Sequence, residues 1–450
     1  MIRIGIYGYG NLGRGVECAV AECPDMEVVG VFTRRDPSTL HPASGAPAYH
    51  VDAALHMQDQ IDVMILCGGS ATDLPVQTPR LAELFPVIDS FDNVEVAALC
   101  EIDEARLEQG KKIVEEKTGK TPLCTKNEDG SFNLDIDGVI IMTYWETHIP
   151  LAIKAMKKGI RPGIEVGGAY SLEDCFRLVR AYEETGVPCM MLENCCYGKR
   201  ELTVLKMVKE GLFGEIVHCS GGYHHYLADE ITHGNERYHY RLRNYINRNC
   251  ENYPTHELGP IANVLKINRG NRMVKLTSTA SKARGLTDYV KEHIEDYPYL
   301  ENTVFAQGDI VTTVITCADG STIVLTLDTT LPRAYSRGFT VRGTNGSYFE
   351  DNDSFFFPNN GEHIKAEEEF DWSPQYKNGV EYREKNMHPL WKKYGDAAAK
   401  SGHGGMDYMV LSAFFESVKK QTKNQISASS SASEKMKEVF DSTATLDKLI

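Results

Sequence analysis

Ile2-Arg3-Ile4-Gly5-Ile6-Tyr7-Gly8-Tyr9-Gly10-Asn11-Leu12-Gly13 decides the fold. Isoleucines at every second position make Ile2–Tyr7 a short strand, and an amphipathic pattern through Ala21 makes the following segment a helix. Between them stands G-x-G-x-x-G. Glycines at a strand-to-helix turn let the backbone approach a pyrophosphate, and the helix N-terminus offers N–H groups and the positive end of its dipole. The motif alone is weak; its place between strand and helix marks a dinucleotide-binding fold. Gly8, Gly10, Asn11, Leu12 and Gly13 are therefore candidate cofactor residues.

Outward from this turn, a second strand over Glu27–Phe32 ends in Thr33-Arg34-Arg35. Arginines there suit the 2′-phosphate of NADP, where an acid would suit the ribose of NAD. A strand at Asp62–Cys67 follows, then Gly68-Gly69-Ser70-Ala71-Thr72-Asp73 opening a helix, and Pro86–Asp92. At Asn93 the pattern begins again. Val94–Cys100 reads as another second strand, and it ends in Glu101, the acid that the first pass lacks. Next come a helix over Ala105–Lys117, a buried strand over Leu134–Met142 and Thr143-Tyr144-Trp145-Glu146-Thr147-His148, which opens the helix Pro150–Lys157. Ile160–Glu165 is a strand, Leu172–Glu184 a helix and Cys189–Glu193 a strand running into Asn194-Cys195-Cys196-Tyr197. Asp62–Cys67 and Asp137–Met142 thus compete for one place beside the first strand. The expected cofactor is NAD, with NADP left open by Arg34 and Arg35.

Beyond Tyr197 the pattern changes. A helix over Glu201–Glu210 leads to strands at Glu215–Tyr223, Met273–Ser278, Ile310–Cys317, Thr322–Asp328 and Phe339–Gly343, with tight turns at Ala318-Asp319-Gly320 and Thr344-Asn345-Gly346. The expected class is α/β, a Rossmann-type doubly wound parallel sheet with a second α+β domain built on a mostly antiparallel sheet. Residues 1–196 form the dinucleotide-binding region, in parts 1–92 and 93–196. Residues 197–422 form the substrate domain, and 423–450 a serine-rich tail with a short polar helix from Glu434.

At 450 residues the chain has length for two domains with real cores. A net charge of −15 argues against nucleic acid or an anionic membrane as the main partner. The 12 cysteines include no C-x-x-C, and most lie in apolar patterns. They read as reduced, packed thiols and point to a cytoplasmic protein; the vicinal Cys195-Cys196 is either redox-active or, the stronger reading, structural. No signal peptide is expected before Ile2 and no apolar run is long enough to span a bilayer.

The chemistry converges on Asn252-Tyr253-Pro254-Thr255-His256-Glu257. Proline suits a helix entry, so Tyr253 and His256 share the first turn and can face one cavity. A phenol and an imidazole both pass protons. The plainer reading makes them a core aromatic and a helix-start residue, and residue types alone favour it. Tyr238-His239-Tyr240-Arg241-Leu242-Arg243-Asn244-Tyr245 is either a solvated basic loop or a clamp for sugar and cofactor. His233 and His363 read as surface residues. His403 and Asp407, at an expected helix start, could reach the site or serve only as a cap. No histidine spacing suggests a metal.

Taken in order, several motifs resemble one family. Trp145-x-x-His148, Glu165-Val166, Met190–Gly198, Gly211-Leu212-Phe213-Gly214-Glu215, Gly221-Gly222-Tyr223, the run Arg241–His256, Asn268–Arg272 and Gly402–Asp407 match the Gfo/Idh/MocA oxidoreductase superfamily. Within it, about Val94–Lys420 resembles glycoside hydrolase family 109, the NAD-dependent α-N-acetylgalactosaminidases. Residues 1–92 resemble the cofactor-binding half of meso-diaminopimelate dehydrogenase through GYGNLGR, TRR, GSATD and DSFDN. Val166 stands where dehydrogenases of the superfamily usually carry the lysine of an E-K-P motif.

The resemblance implies a glycosidase that releases N-acetylgalactosamine or a related N-acetylhexosamine. It would do so by NAD-dependent oxidation at C3, elimination, water addition and re-reduction. It further implies that Tyr223, Arg241, Tyr253 and Tyr335 hold the sugar. Trp145, His148, Glu165, Val166 and Asn194 would line the NAD. Tyr253 and His256 would move protons, and the partner is a glycan, with a homo-oligomer possible. The alternatives are an NAD(P)-dependent oxidoreductase on a sugar or amino acid, and a catalytically idle cofactor-binding protein.

Overall fold

β1 (Ile2–Tyr7), β2 (Met26–Thr33), β3 (Ala48–His50) and β4 (Val63–Leu66) form a parallel sheet in the order β3-β2-β1-β4. This is a computed structural model, and it describes residues 2–7, 11–21, 23, 26–33, 36–57, 60–61, 63–66, 94–167, 170–234, 240–358, 375–399 and 401–426. Gly8, Gly10, Arg34, Arg35, the Gly68–Asp73 turn, His363 and the segment from Ser427 onward lie outside those residues. The chain divides into two compact units, one of Met1–Asp92 with Val96–Lys126, the other of Asn93–Glu95 with Asn127–Ile450.

In the first unit the helix Asn11–Ala21 links β1 to β2, and Ile4, Ile6, Val20 and Val31 close a small core between helix and sheet. Asn11, Leu12 and Gly13 form the first turn of that helix. The competition for the place beside β1 is settled locally. Ile4 to Tyr7 pair with Val63 to Leu66, so the strand read at Asp62–Cys67 takes it. β5 (Ala98–Cys100) is shorter than the Val94–Cys100 expected, and it pairs in parallel with β6 (Leu123–Thr125), which sequence reading did not single out. Between them runs the helix Glu104–Thr118, capped by Asp103 accepting from the Arg106 N–H and stopped by Gly119 at φ 66°. Glu101 follows β5 directly and accepts the Asp103 N–H at 3.0 Å.

The second unit carries β7 (Gly138–Ile141), β8 (Arg161–Ile164) and β9 (Met190–Met191), a parallel sheet in that order. The helices Trp145–Lys157 and Leu172–Thr185 connect them, burying Ile149, Ala152, Met156, Ala181 and Tyr182 against Ile141 and Ile164. The other contender for the place beside β1, Asp137–Met142, is β7 here and pairs with β8. Its strand and crossover chemistry was legible; its neighbour was not.

Beyond them lies a seven-stranded sheet in the order β11-β12-β13-β10-β14-β15-β16. Its strands are β10 (Ile216–His224), β11 (Met273–Ala280), β12 (Ile310–Cys317), β13 (Thr322–Asp328), β14 (Thr340–Gly343), β15 (Ser347–Phe349) and β16 (Ser354–Phe356). Every pairing is antiparallel except β10 with β13, and β15 and β16 extend the sheet beyond the strands read from sequence. β12 and β13 alternate buried and accessible side chains, so one face of the sheet carries the core. The helix Met406–Ile426 buries Phe414 and Val418, and Phe414 meets the backbone of β8 at Gly163. Arg337 lies buried among Glu201, Glu257 and Glu350, tying the helix Lys199–Lys209 to the strands β14 and β15. No helix among the described residues is long and apolar enough to cross a membrane.

Candidate active site

Trp145, Glu165 and Asn194 stand just past the C-terminal ends of β7, β8 and β9. That end of an open parallel sheet is where strand-to-helix turns leave a crevice for a ligand. The helix after β7 begins at Trp145 with no side-chain cap on its first N–H groups. His148 is fully buried one turn on, and its Nε2 bonds the Thr143 carbonyl at 3.0 Å. A carbonyl only accepts, so Nε2 carries the proton and Nδ1 is a buried acceptor that bonds no described residue. Burial pushes the pKa of His148 down, which keeps it neutral.

Gly167 follows Val166 at φ 105°, and a Cβ there would lie 2.1 Å from the Trp145 ring. Only glycine lets the β8 turn pass so close to the indole. Gly167→Ala is expected to destabilise the protein by about 1–3 kcal/mol, from strained backbone and forced displacement of Trp145. A chemical-denaturation midpoint followed by far-UV circular dichroism reads it, and an unchanged midpoint refutes this account of the turn.

Onto this crevice pack the end of β10 and the helices Arg241–Asn247 and Thr255–Val264. Pro254 precedes the second of these, and its carbonyl accepts from the Leu258 N–H at 2.9 Å, so the expected helix entry is observed. The ring of Tyr253 lies 4.6 Å from that of Tyr223, 5.8 Å from Trp145 and 5.0 Å from His256. The Arg241 guanidinium sits 4.6 Å above the Tyr253 ring and forms an ion pair with Glu230 at 3.2 Å. Trp145, Tyr223 and Tyr253 belong to one core cluster with Leu242, Tyr245 and Leu327, so the aromatic wall is fixed by packing. The Tyr253 phenol is pushed well above its ordinary pKa by burial, with Arg241 opposing, and the Tyr223 phenol to about 12 for the same reasons. Both stay protonated at neutral pH. Glu165 is raised to about 7 by burial, against the pull of Arg241.

His256 Nδ1 lies 2.8 Å from Oε1 of Glu193, which also accepts the Cys195 N–H at 3.0 Å. Burial alone would raise Glu193, but the neighbouring His256 and these hydrogen bonds outweigh it and hold the carboxyl below its usual range. An ionised carboxylate only accepts, so Nδ1 donates and the Nε2 lone pair remains for other work. The approach needs Gly259, since a Cβ there would lie 2.8 Å from the Cys196 sulfur and 3.0 Å from Glu193. On the far side, Asn194 Nδ2 donates to Asp407 at 2.8 Å, and His403 Nδ1 reaches the same carboxyl at 2.7 Å. Burial would raise Asp407; the hydrogen bonds from His403 and Asn194 hold it down.

The model of the glycosyl hydrolase 109 C-terminal domain matches residues 197–441. A glycosyl hydrolase family 109 protein of Stenotrophomonas maltophilia (strain K279a) is 38% identical over 356 residues, covering 73% of this chain and 76% of that protein. The chain belongs to glycosyl hydrolase family 109. An alpha-N-acetylgalactosaminidase of Tannerella forsythia is 34% identical over 350 residues, 72% of either chain. Among solved structures, levoglucosan dehydrogenase in complex with NADH aligns over 93% of this chain and 90% of its own, at a TM-score of 0.50 and 15% identity. That likeness is one of fold, and it agrees with the Rossmann-type class read from sequence.

Within this family 109 enzyme, a glycoside hydrolase, six of the residues named from sequence come together. Trp145, Tyr223, Arg241, Tyr253 and His256 share one wall, and the carboxyl of Glu165 feels the charges of Arg241, Glu193 and His256. Tyr335 is 56% exposed and stands at the rim, its ring 5.0 Å from His225. Two residues were missed. Glu193 was quoted within a motif but given no role, although an acid directly after a strand, beside a histidine-bearing helix, is the usual way to fix an imidazole. His225 bonds the Tyr223 hydroxyl through Nδ1 at 3.0 Å and so joins Tyr223 to Tyr335; its only signal was its place at the end of β10. His233 is no idle surface residue, since it lies 2.7 Å from the Tyr297 hydroxyl and 3.1 Å from Asp229.

Proposed function

We propose that the chain releases a terminal N-acetylgalactosamine, or a related N-acetylhexosamine, using a nicotinamide dinucleotide that it retains through each turnover. The observation that carries this reading is the imidazole of His256, fixed through Nδ1 by Glu193 and placed beside Tyr253 and Arg241. An alpha-N-acetylgalactosaminidase among the relatives supports the substrate class.

The residues present fit a nicotinamide. Trp145, His148, Glu165, Val166 and Asn194 stand at or just past the C-terminal ends of three parallel strands, and the buried His148 Nδ1 is an acceptor awaiting a donor. These residues would hold it, NAD in the first instance and NADP as the alternative. When bound, the group supplies reversible removal of hydride from a sugar carbon, the chemistry that makes a neighbouring C–H acidic.

The remaining work falls to side chains. His256 takes a proton at Nε2, and the Glu193 carboxylate stabilises the imidazolium so formed. Tyr253 keeps its phenolic proton and donates to a sugar oxygen, while Arg241 over its ring holds positive charge where oxygen becomes negative. Trp145, Tyr223 and Tyr253 are each at least nine-tenths buried and keep bulk water from that wall. Val166 removes the lysine on which a simple alcohol dehydrogenase of this superfamily would rely, which favours the glycosidase over net oxidation.

Aryl glycosides of N-acetylgalactosamine and N-acetylglucosamine, tested with and without added NAD⁺, decide between the readings. The expected result is aryl alcohol release with no net build-up of reduced nicotinamide. Stoichiometric reduction without release supports an oxidoreductase, and cofactor binding with neither supports an idle binding protein.

A further inference from the structure

We propose that Glu193, Cys195 and His256 form a site for a thiophilic divalent cation such as Zn²⁺, and that the cation switches the proton-transfer centre off. The switching half rests on the role given to His256 above; the binding half does not. One carboxylate oxygen, one sulfur and one ring nitrogen from these residues all lie within 4.8 Å of one another. Oxygen, sulfur and nitrogen together are the donor set of a four-coordinate zinc site with one open position. With bonds of about 2.0–2.3 Å, ligand atoms around a tetrahedral cation stand roughly 3.3–3.8 Å apart. The three donors therefore need to move by about an ångström or less.

The framework is already held. Glu193 and Cys195 lie on the tight turn that ends in Tyr197, closed by the Cys195 N–H on Glu193 Oε1. Both are nearly fully buried, at 1% and 2% exposure, and His256 is the partly exposed member through which an ion would enter. The other Glu193 oxygen is buried too, with the Thr255 hydroxyl beside the carboxyl. Glu201 and Glu257 also lie near the Cys195 thiol, but burial pushes both toward the neutral form and both face Arg337, so the anionic charge of the site is that of Glu193 and the bound thiolate. In so dry a place a cation's attraction to two anionic ligands is little screened.

Binding changes proton positions in a definite way. Cys195 gives its thiol proton to solvent and binds as thiolate. His256 binds through the Nδ1 lone pair, so its proton moves from Nδ1 to Nε2 with no net loss from the ring. Glu193 is already ionised. One proton is released for each cation bound, and the nitrogen that should accept a proton from the sugar now carries one.

The test uses Co²⁺ and Zn²⁺ on the purified full chain. Co²⁺ is expected to give one equivalent of a thiolate-to-cobalt charge-transfer band, displaced by Zn²⁺. Aryl glycoside turnover should fall along the same Zn²⁺ titration and return with a chelator. Cys195→Ser should keep metal-free turnover, lack the band and need at least about tenfold more Zn²⁺ for inhibition, the loss that removing even an outer-shell partner produces. Cys195→Ala serves if the serine variant fails to fold by circular dichroism. A missing band in the natural protein, or a band that survives in the Cys195 variant, overturns the site. A band in a chain with no glycosidase activity leaves the site standing and removes the proposed function. Full turnover at saturating Zn²⁺ leaves the site and removes the switch.

Discussion

Replacing His256 with alanine is expected to lower glycoside turnover by about two to four decades, the usual contribution of a positioned acid or base. That range is a barrier increase of about 2.7–5.5 kcal/mol. The side chain is only 14% exposed, so its removal leaves a cavity beside Tyr223 and Tyr253. Its loss also strands Glu193, whose carboxyl would keep only the Cys195 N–H among the hydrogen bonds given to Oε1. Leaving a buried acceptor short of a partner costs about 1–3 kcal/mol, so part of the effect must be separated from stability. Nicotinamide binding provides the separation, because the residues proposed to hold it, Trp145, His148, Glu165, Val166 and Asn194, all keep their side chains. Cofactor affinity by fluorescence titration should stay within a few-fold of the natural protein while kcat falls. Turnover within a factor of about three of the parent would take His256 out of the chemistry.

Most of the fold was legible because two periodicities change where the architecture changes. Ile2–Tyr7 and Ile310–Cys317 have the bounds that alternation predicts, and Leu172–Thr185 follows its apolar stripe with Ser171 as cap. Neighbour choice was less legible. Val63–Leu66 and Gly138–Ile141 are both short apolar strands, and nothing in either sequence says which one meets β1. Parallel pairing is set by distant partners, whereas the tight turns of β12–β13 and β14–β15 set theirs locally. The site shows the same contrast. Tyr253 and His256 announced themselves by sharing a helix entry across Pro254. Glu193 reaches His256 over a sequence separation of 63, through a close approach that depends on the bare Cα of Gly259. Such a contact has no sequence signature of its own. His225 escaped for a different reason, since its value lies in the two tyrosines that its ring happens to touch.

Glu193→Gln is the sharper experiment, for it alters one atom and tests how the imidazole is held. In the natural protein the carboxylate accepts from Nδ1 at 2.8 Å, which leaves the lone pair on Nε2. A glutamine that turns its NH₂ into the place of Oε1 gives up the Cys195 N–H bond that this oxygen also accepts, and the ring then accepts at Nδ1 and carries its proton on Nε2 instead. It is the wrong tautomer for a base. The same carboxylate-to-amide change behind the histidine of a serine-protease triad costs about four decades in kcat with the geometry intact. A loss of roughly two to four decades is expected here, because Glu193 lies 1% exposed and its charge is scarcely screened. The amide also withdraws the negative charge that would stabilise a protonated His256, so the two effects act in one direction. If Glu193 served only to hold its own turn, the glutamine oxygen would still accept the Cys195 N–H and turnover would stay near normal. A merely structural fault would instead lower the unfolding midpoint and kcat together. The outcome that supports positioning is a fall in kcat with KM and the unfolding midpoint nearly unchanged, together with ¹⁵N shifts of the His256 ring that move the proton from Nδ1 to Nε2.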